Sequence, residues 1–149
     1  MPPEKVPVAI RRVVAARAAG YCEYCRYPEQ FATESFTVEH ITPRAAGGAN
    51  TLDNLDWSCF GCNSFKHAKT QGTDPQTGAQ VPLFHPRQQQ WDEHFDWTED
   101  KCQIVGKTSC GRATVEALRF NRVALMNLRG VLAQVGLHPP DPSAFDHPS

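Results

Sequence analysis

Residues 38–69 read VEHITPRAAGGANTLDNLDWSCFGCNSFKHAK, and this stretch decides the fold. It contains Cys59-x-x-Cys62, and a matching Cys22-x-x-Cys25 stands upstream in YCEYC, residues 21–25. Zinc takes four thiolates in a tetrahedron, and a two-residue spacer lets both sulfurs of one knuckle reach a single ion. The two pairs lie farther apart than in a compact zinc ribbon, so a loop must fold between them. Cys22, Cys25, Cys59 and Cys62 are therefore expected to hold a structural Zn²⁺. The plain alternative is four unrelated buried thiols, and paired spacing argues against it. A redox role fits less well, because neither pair sits in a thioredoxin-like strand–helix setting. Cys102 and Cys110 read as small buried or half-exposed thiols. Their spacing to His85 or His94 gives only weak support for a second metal site.

The segment between the knuckles has its own pattern. Phe36–His40 is β-prone and short, and reads as a strand. ITPRAAGGAN, residues 41–50, is a loop broken by Pro43, Gly47 and Gly48. Order returns over Thr51–Trp57, and Cys59–Lys69 reads as a short helix. In a helix, Asn63 and His67 at i, i+4 share one face. Zinc would clamp the start of that helix, and the strand and loop would present Glu39 and His40 to the same face.

Outward from this core, residues 8–19 form an Ala- and Arg-rich helix stopped by Gly20, with Val6, Ile10, Val13 and Val14 as its buried stripe. QGTDPQTGAQ, residues 71–80, reads as a turn-rich loop. Pro86–Phe95 suggests a short helix with Trp91 and Phe95 one turn apart. Phe95–Trp97 and Gln103–Val105 pair as a small hairpin. Residues 112–135 form one long helix or two, with Asn121 as the break, ended by Gly136 and Pro139-Pro140. His94 reads as a packed or hydrogen-bonded histidine before a second catalytic one.

The chain has 149 residues, 40% apolar and 21% charged, which fits one globular domain over 1–138. Its core spans 21–69 and a C-terminal extension spans 81–136. Residues 139–149 read as a flexible, Pro-rich, acidic tail. The start, MPPEKVPVAIRRVVAARAAG, lacks an apolar signal core, and no apolar run spans a bilayer. Six cysteines without an export signal indicate thiols and metal over disulfides, hence a cytoplasmic protein. A formal net charge of -1 weighs against a protein that lives on nonspecific phosphate attraction. Charge can still be local: Arg11, Arg12 and Arg17 cluster near the start, and Arg112, Arg119, Arg122 and Arg129 near the end. Together with Arg87 they read equally as guides for a DNA backbone or as solvated helix faces.

The order E-H-I-x-P-R-x-x-G-G-x-N, then N-L, then C-x-x-C-N-x-x-K resembles the HNH (ββα-metal) endonuclease family over about Tyr21–Lys69. The resemblance implies an α+β fold: a ββα-metal core with four-cysteine zinc knuckles, flanked by the N-terminal helix and a C-terminal hairpin plus helical segment. It implies hydrolysis of DNA phosphodiester bonds, leaving 5′-phosphate and 3′-hydroxyl ends. His40 then stands as general base, a task suited to imidazole. Glu39 and Asn63 stand as ligands of one catalytic divalent cation, and His67 falls where some members place a further ligand. Hard oxygen donors suit Mg²⁺ or Mn²⁺, and His67 would tolerate Zn²⁺ or Ni²⁺. Asn54 matches the middle Asn of the family name, and its amide can bond backbone on both sides of the loop. Lys66 and Arg44 could touch phosphate oxygens. The third named position is Asn63 in place of His, and Glu39 stands where some members carry Asp or His. Both departures bear on the ligand set more than on the base.

The competing reading is a noncatalytic, zinc-stabilised module that binds nucleic acid, and a third is a protein-binding scaffold. Near-neutral charge makes strong noncatalytic DNA binding unattractive. A pure binder also has no need of His40 beside a carboxylate. DNA is the expected partner by resemblance, with RNA left open. No membrane partner is expected, and no oligomeric interface can be read.

Overall fold

The computed structural model describes residues 6–145. Residues 146–149 of the expected tail lie outside the described residues. Helix α1 (Val8–Arg17) opens the fold. Of the expected apolar stripe, Val14 is fully buried, and Val6 and Ile10 pack beside it against Val38 and Leu55. Val13 does not belong to the stripe: it is 48% exposed. One position before Val14, it is turned about 100° around the helix, past the edge of the narrow face that meets the sheet.

Strands β1 (Thr37–His40) and β2 (Leu55–Ser58) pair antiparallel, with Glu39 opposite Asp56 and His40 opposite Leu55. Side chains alternate between the faces of a strand. Val38 accordingly joins the apolar cluster under α1, and Glu39 and Asp56 occupy the other face, where α2 (Phe60–Lys66) lies. Hairpin and helix together make the expected ββα unit. The loop between the strands carries two short 3-10 turns, Arg44–Ala46 and Leu52–Asn54.

The stretch expected to be a loop at 71–80 is instead a hairpin: β3 (Gln71–Thr73) pairs with β4 (Gln80–Pro82). Its strands are short and polar, so no apolar alternation announces them. Their order comes from Asp74, whose carboxylate takes two bonds from Arg112, at 2.9 and 2.8 Å, and one each from Ser109 and Thr77. The Arg112 pair holds Asp74 well below the usual carboxylate range.

The helix expected over Pro86–Phe95 is confined to α3 (Trp91–His94), because Phe95 already begins a strand. Strands β5 (Phe95–Trp97) and β6 (Ile104–Gly106) form the expected hairpin, with β6 one residue later than anticipated. Two helices follow, α4 (Ser109–Ala117) and α5 (Val123–Gln134), and Asn121 lies in the break. Its amide accepts from the Ile104 N–H at 2.8 Å and donates to the Ile104 carbonyl at 2.9 Å, tying the helix junction to β6. The main core runs from the knuckle cysteines and Tyr24 through Phe84, Trp91, Phe95 and Ile104 to Leu118, Phe120 and Leu125. Phe145 lies edge-on to Tyr21 at 5.4 Å and under the Arg26 guanidinium at 3.8 Å. Among the described residues no helix is long and apolar enough to cross a membrane.

Candidate functional site

The four knuckle cysteines converge. Their sulfurs lie within 4.8 Å of one another, and all four residues are buried. Cys25 and Cys59 sulfurs are 3.7 Å apart. The edge of a tetrahedron with Zn–S bonds of about 2.3 Å is about 3.8 Å, so the arrangement fits zinc as found. Local backbone prepares both halves. Arg26, at φ 62°, sends its N–H back to the Cys22 carbonyl at 3.0 Å. Cys59 caps α2, its sulfur accepting from the Cys62 N–H at 3.4 Å.

The cysteine cluster has a neighbour with no signal in the motif. Arg122, at the N-terminus of α5, points one guanidinium nitrogen at the sulfurs of Cys59 (3.6 Å) and Cys25 (3.9 Å). Its other terminal nitrogen donates to the carbonyls of Leu118 and Arg119, each at 3.0 Å. Burial works against the charge, but the sulfurs of Cys25, Cys62 and Cys59 outweigh it and raise the pKa above the ordinary arginine value. With a divalent ion held by the four cysteines, a guanidinium here would offset the excess negative charge of the thiolates.

The candidate active site lies along the other end of the ββα unit. The Asn63 amide, from the second turn of α2, donates to Glu39 Oε1 at 3.1 Å. A carboxylate from β1 and an amide from α2 thus meet, and both residues are half-buried. His40, the last residue of β1, contacts a different partner: its Nε2 lies 2.7 Å from Asn50 Oδ1. Asn54 binds the loop on both sides. Its Oδ1 accepts from the Thr42 N–H at 2.9 Å, and its Nδ2 donates to the carbonyls of Thr42 (3.0 Å) and Ala49 (2.8 Å). Its own carbonyl accepts from the Ile41 N–H at 2.8 Å. The two glycines of the motif each have a reason. Gly47 is left-handed at φ 92°. Gly48 passes so close that a Cβ would stand 1.8 Å from the Thr42 carbonyl oxygen and 2.8 Å from Asn54 Nδ2.

Beneath this surface lie two buried ionisable groups that feel one another's charge. Lys66 is 5% exposed, and Asp56 is fully buried beside it. Burial pushes the Asp56 carboxyl up to about 7, against the opposing pull of Lys66, Ser58 and the Tyr24 hydroxyl 3.1 Å away. Burial also lowers the Lys66 pKa, partly countered by Asp56 and Glu39. The Lys66 ammonium donates to the carbonyls of Ile41 (2.8 Å) and His40 (3.4 Å). The expected phosphate contact is therefore not what Lys66 makes: it is turned inward and fixes the end of β1.

Two further expectations change. His67 does not continue the helix face of Asn63. Its backbone turns to φ 47°, ψ -118°, so the i, i+4 relation lapses and the ring stands exposed past the helix end. The C-terminal arginines are largely engaged internally: Arg112 with Asp74, Arg122 with the cysteines, and Arg129 with the carbonyls of Phe120 and Cys102. Arg87 forms an ion pair with buried Glu23. Arg44 is exposed on its 3-10 turn. His94 bonds the Thr108 hydroxyl at 2.7 Å and packs edge-on to Phe84, as a structural histidine does.

Residues 22–69 match the family model described as HNH endonuclease. No curated protein and no solved structure matches the chain.

Proposed function

We propose, from the HNH endonuclease domain that residues 22–69 form, that this chain hydrolyses DNA phosphodiester bonds, with His40 as general base and one divalent cation at Glu39 and Asn63. The observation that supports it is the convergence of the Glu39 carboxylate and the Asn63 amide at 3.1 Å; His40, which ends the same strand, has its ring held by Asn50. A half-turn of the Asn63 amide exchanges nitrogen for oxygen and leaves two hard oxygen donors side by side. Such a pair fits Mg²⁺ or Mn²⁺. His67, exposed beyond α2, is available as a further ligand that would tolerate Zn²⁺ or Ni²⁺. The cation, when bound, shields the phosphate charge and stabilises the departing 3′ oxygen.

The chain's own groups do the rest. With Asn50 Oδ1 accepting from Nε2–H of His40, the ring's lone pair sits on Nδ1, which can take the proton of an attacking water. Asn50 fixes the ring, while Lys66 and Asn54 fix the backbone that carries it. Arg44, exposed on its 3-10 turn, would meet phosphate oxygens. A noncatalytic DNA-binding role is less well supported, because Arg112, Arg122 and Arg129 are engaged inside the protein.

The test is incubation of zinc-loaded protein with supercoiled plasmid and with single- and double-stranded oligonucleotides of DNA and RNA. Each is run without added metal and with Mg²⁺, Mn²⁺, Ni²⁺ or Zn²⁺. Metal-dependent relaxation or linearisation, lost in Glu39→Gln, is expected. Cleavage confined to RNA would overturn the DNA assignment. Binding without cleavage under every ion would overturn the enzyme.

A further inference from the structure

A cavity of about 390 Å³ opens beside the candidate active site, at the lower end of the range for ligand pockets. Ile41 and Thr42, the two residues after His40, form one wall. Lys69 and Thr70, just past α2, form a second, and the segment from Pro82 to Gln89 closes the third. The lining has two chemical halves. Ile41, Leu83 and Phe84 are buried apolar side chains whose edges contribute its apolar lining. The polar lining includes Lys66, Lys69, His85 and Gln88, and no carboxylate belongs to it.

His85 is oriented by its own loop. Its Nδ1 accepts from the backbone N–H groups of Arg87 (3.2 Å) and Gln88 (3.3 Å). A ring nitrogen that accepts twice carries no proton, so the proton of the neutral ring belongs to Nε2, a donor with no protein partner among the described residues. The Lys69 ammonium and Gln88 amide are likewise without a side-chain hydrogen bond among the described residues. Hydrogen bonds tie the third wall: Gln89 Oε1 takes the His85 N–H at 2.8 Å, and the Thr114 hydroxyl takes the Phe84 N–H at 2.9 Å. A lining that combines donors with apolar side chains matches a nucleotide, whose phosphate is an acceptor and whose base has apolar faces.

We propose that this cavity is a nucleotide subsite of the candidate active site, seating the substrate-strand nucleotide next to the scissile phosphate. Lys69 and His85 hold its phosphate, Gln88 its polar edge, and Ile41 and Leu83 its base. The inference rests on the nuclease reading for the identity of the strand, because the wall residues Ile41 and Thr42 directly continue the segment that bears His40. It goes beyond that reading in assigning binding roles to Leu83, His85 and Gln88, outside residues 22–69.

The test is an NMR titration of the full-length, zinc-loaded protein with a deoxynucleoside 5′-monophosphate, with inorganic phosphate, and with the phosphate-free nucleoside. The mononucleotide is expected to shift the His85 ring and the amides of Ile41, Thr42, Lys69 and Gln88. Either fragment alone should bind at least about tenfold more weakly. Lys69→Ala and His85→Asn should each weaken the mononucleotide about tenfold. Asparagine can keep the turn by accepting the same N–H groups while lacking the distal donor. The same variants should raise KM for DNA cleavage with kcat held within about twofold. Shifts elsewhere, or equal binding of inorganic phosphate, would overturn the proposal. So would unchanged affinity in both folded variants. His40→Ala should retain mononucleotide binding, so failure of cutting and failure of the subsite are read separately.

Discussion

Asn54→Asp changes almost nothing in shape and reverses two of the three bonds that hold the loop after His40. The oxygen that accepts from the Thr42 N–H is kept. The Nδ2 that donates to the Thr42 and Ala49 carbonyls becomes an oxygen facing two oxygens. Asn54 is 9% exposed, so water has little room to bridge them. An unsatisfied buried polar group costs about 1–3 kcal/mol. Two such losses come to about 3 kcal/mol, taken toward the low end because they share one site. At about 3 °C per kcal/mol for a chain of this size, the melting temperature should fall by about 10 °C. The introduced carboxyl has a folded pKa raised above its unfolded value by burial and by the carbonyls. The deficit is therefore complete above that raised pKa and shrinks as pH falls through it, when a proton restores one donor. Circular dichroism melts between pH 4 and 8 check both statements, with elemental analysis confirming that zinc is retained. A melt within about 2 °C of wild type at pH 8, or a deficit that deepens on acidification, would refute this reasoning.

Other perturbations read separate parts of the site. Asp56→Asn removes a buried carboxyl raised to about 7, whose ionisation opposes folding above its unfolded pKa of about 3.9. Denaturant titrations should show the variant gaining on wild type as pH rises from about 4 to about 7, then holding level; a constant gap would show that Asp56 does not titrate there. Arg122→Met should leave the zinc thiolates without their cation and raise zinc transfer to a chelator about tenfold, as loss of a charged hydrogen bond would. Unchanged transfer kinetics would mean that the guanidinium is a bystander.

Much of the site is legible in the chain because it is local. Each knuckle is a short loop whose spacing sets its geometry, and Asn54 closes a loop only twelve residues wide. The Glu39–Asn63 meeting follows from a hairpin and a helix pinned by the same cysteines. What escapes the sequence depends on distant partners. Asp74 orders the β3–β4 hairpin through Arg112, 38 positions away, and Arg122 reaches Cys25 across 97. Lys66 looks like a surface cation until Asp56 is found buried under it. Val13 and His67 differ for the opposite reason: regular helical spacing does not hold past the edge of the buried face or past the residue where the helix stops. Asn50 sits in the motif, but only the fold reveals that it holds the His40 ring.

The most direct measurement is the single-turnover rate of plasmid nicking by wild type and His40→Ala, at equal zinc content and matched circular dichroism, in the best divalent ion. Removal of the base should slow cutting by about 10²–10⁴-fold while fold, zinc and DNA affinity stay unchanged. A variant that cuts at the wild-type rate would contradict His40 as the base, and with it an active site around Glu39, His40 and Asn63.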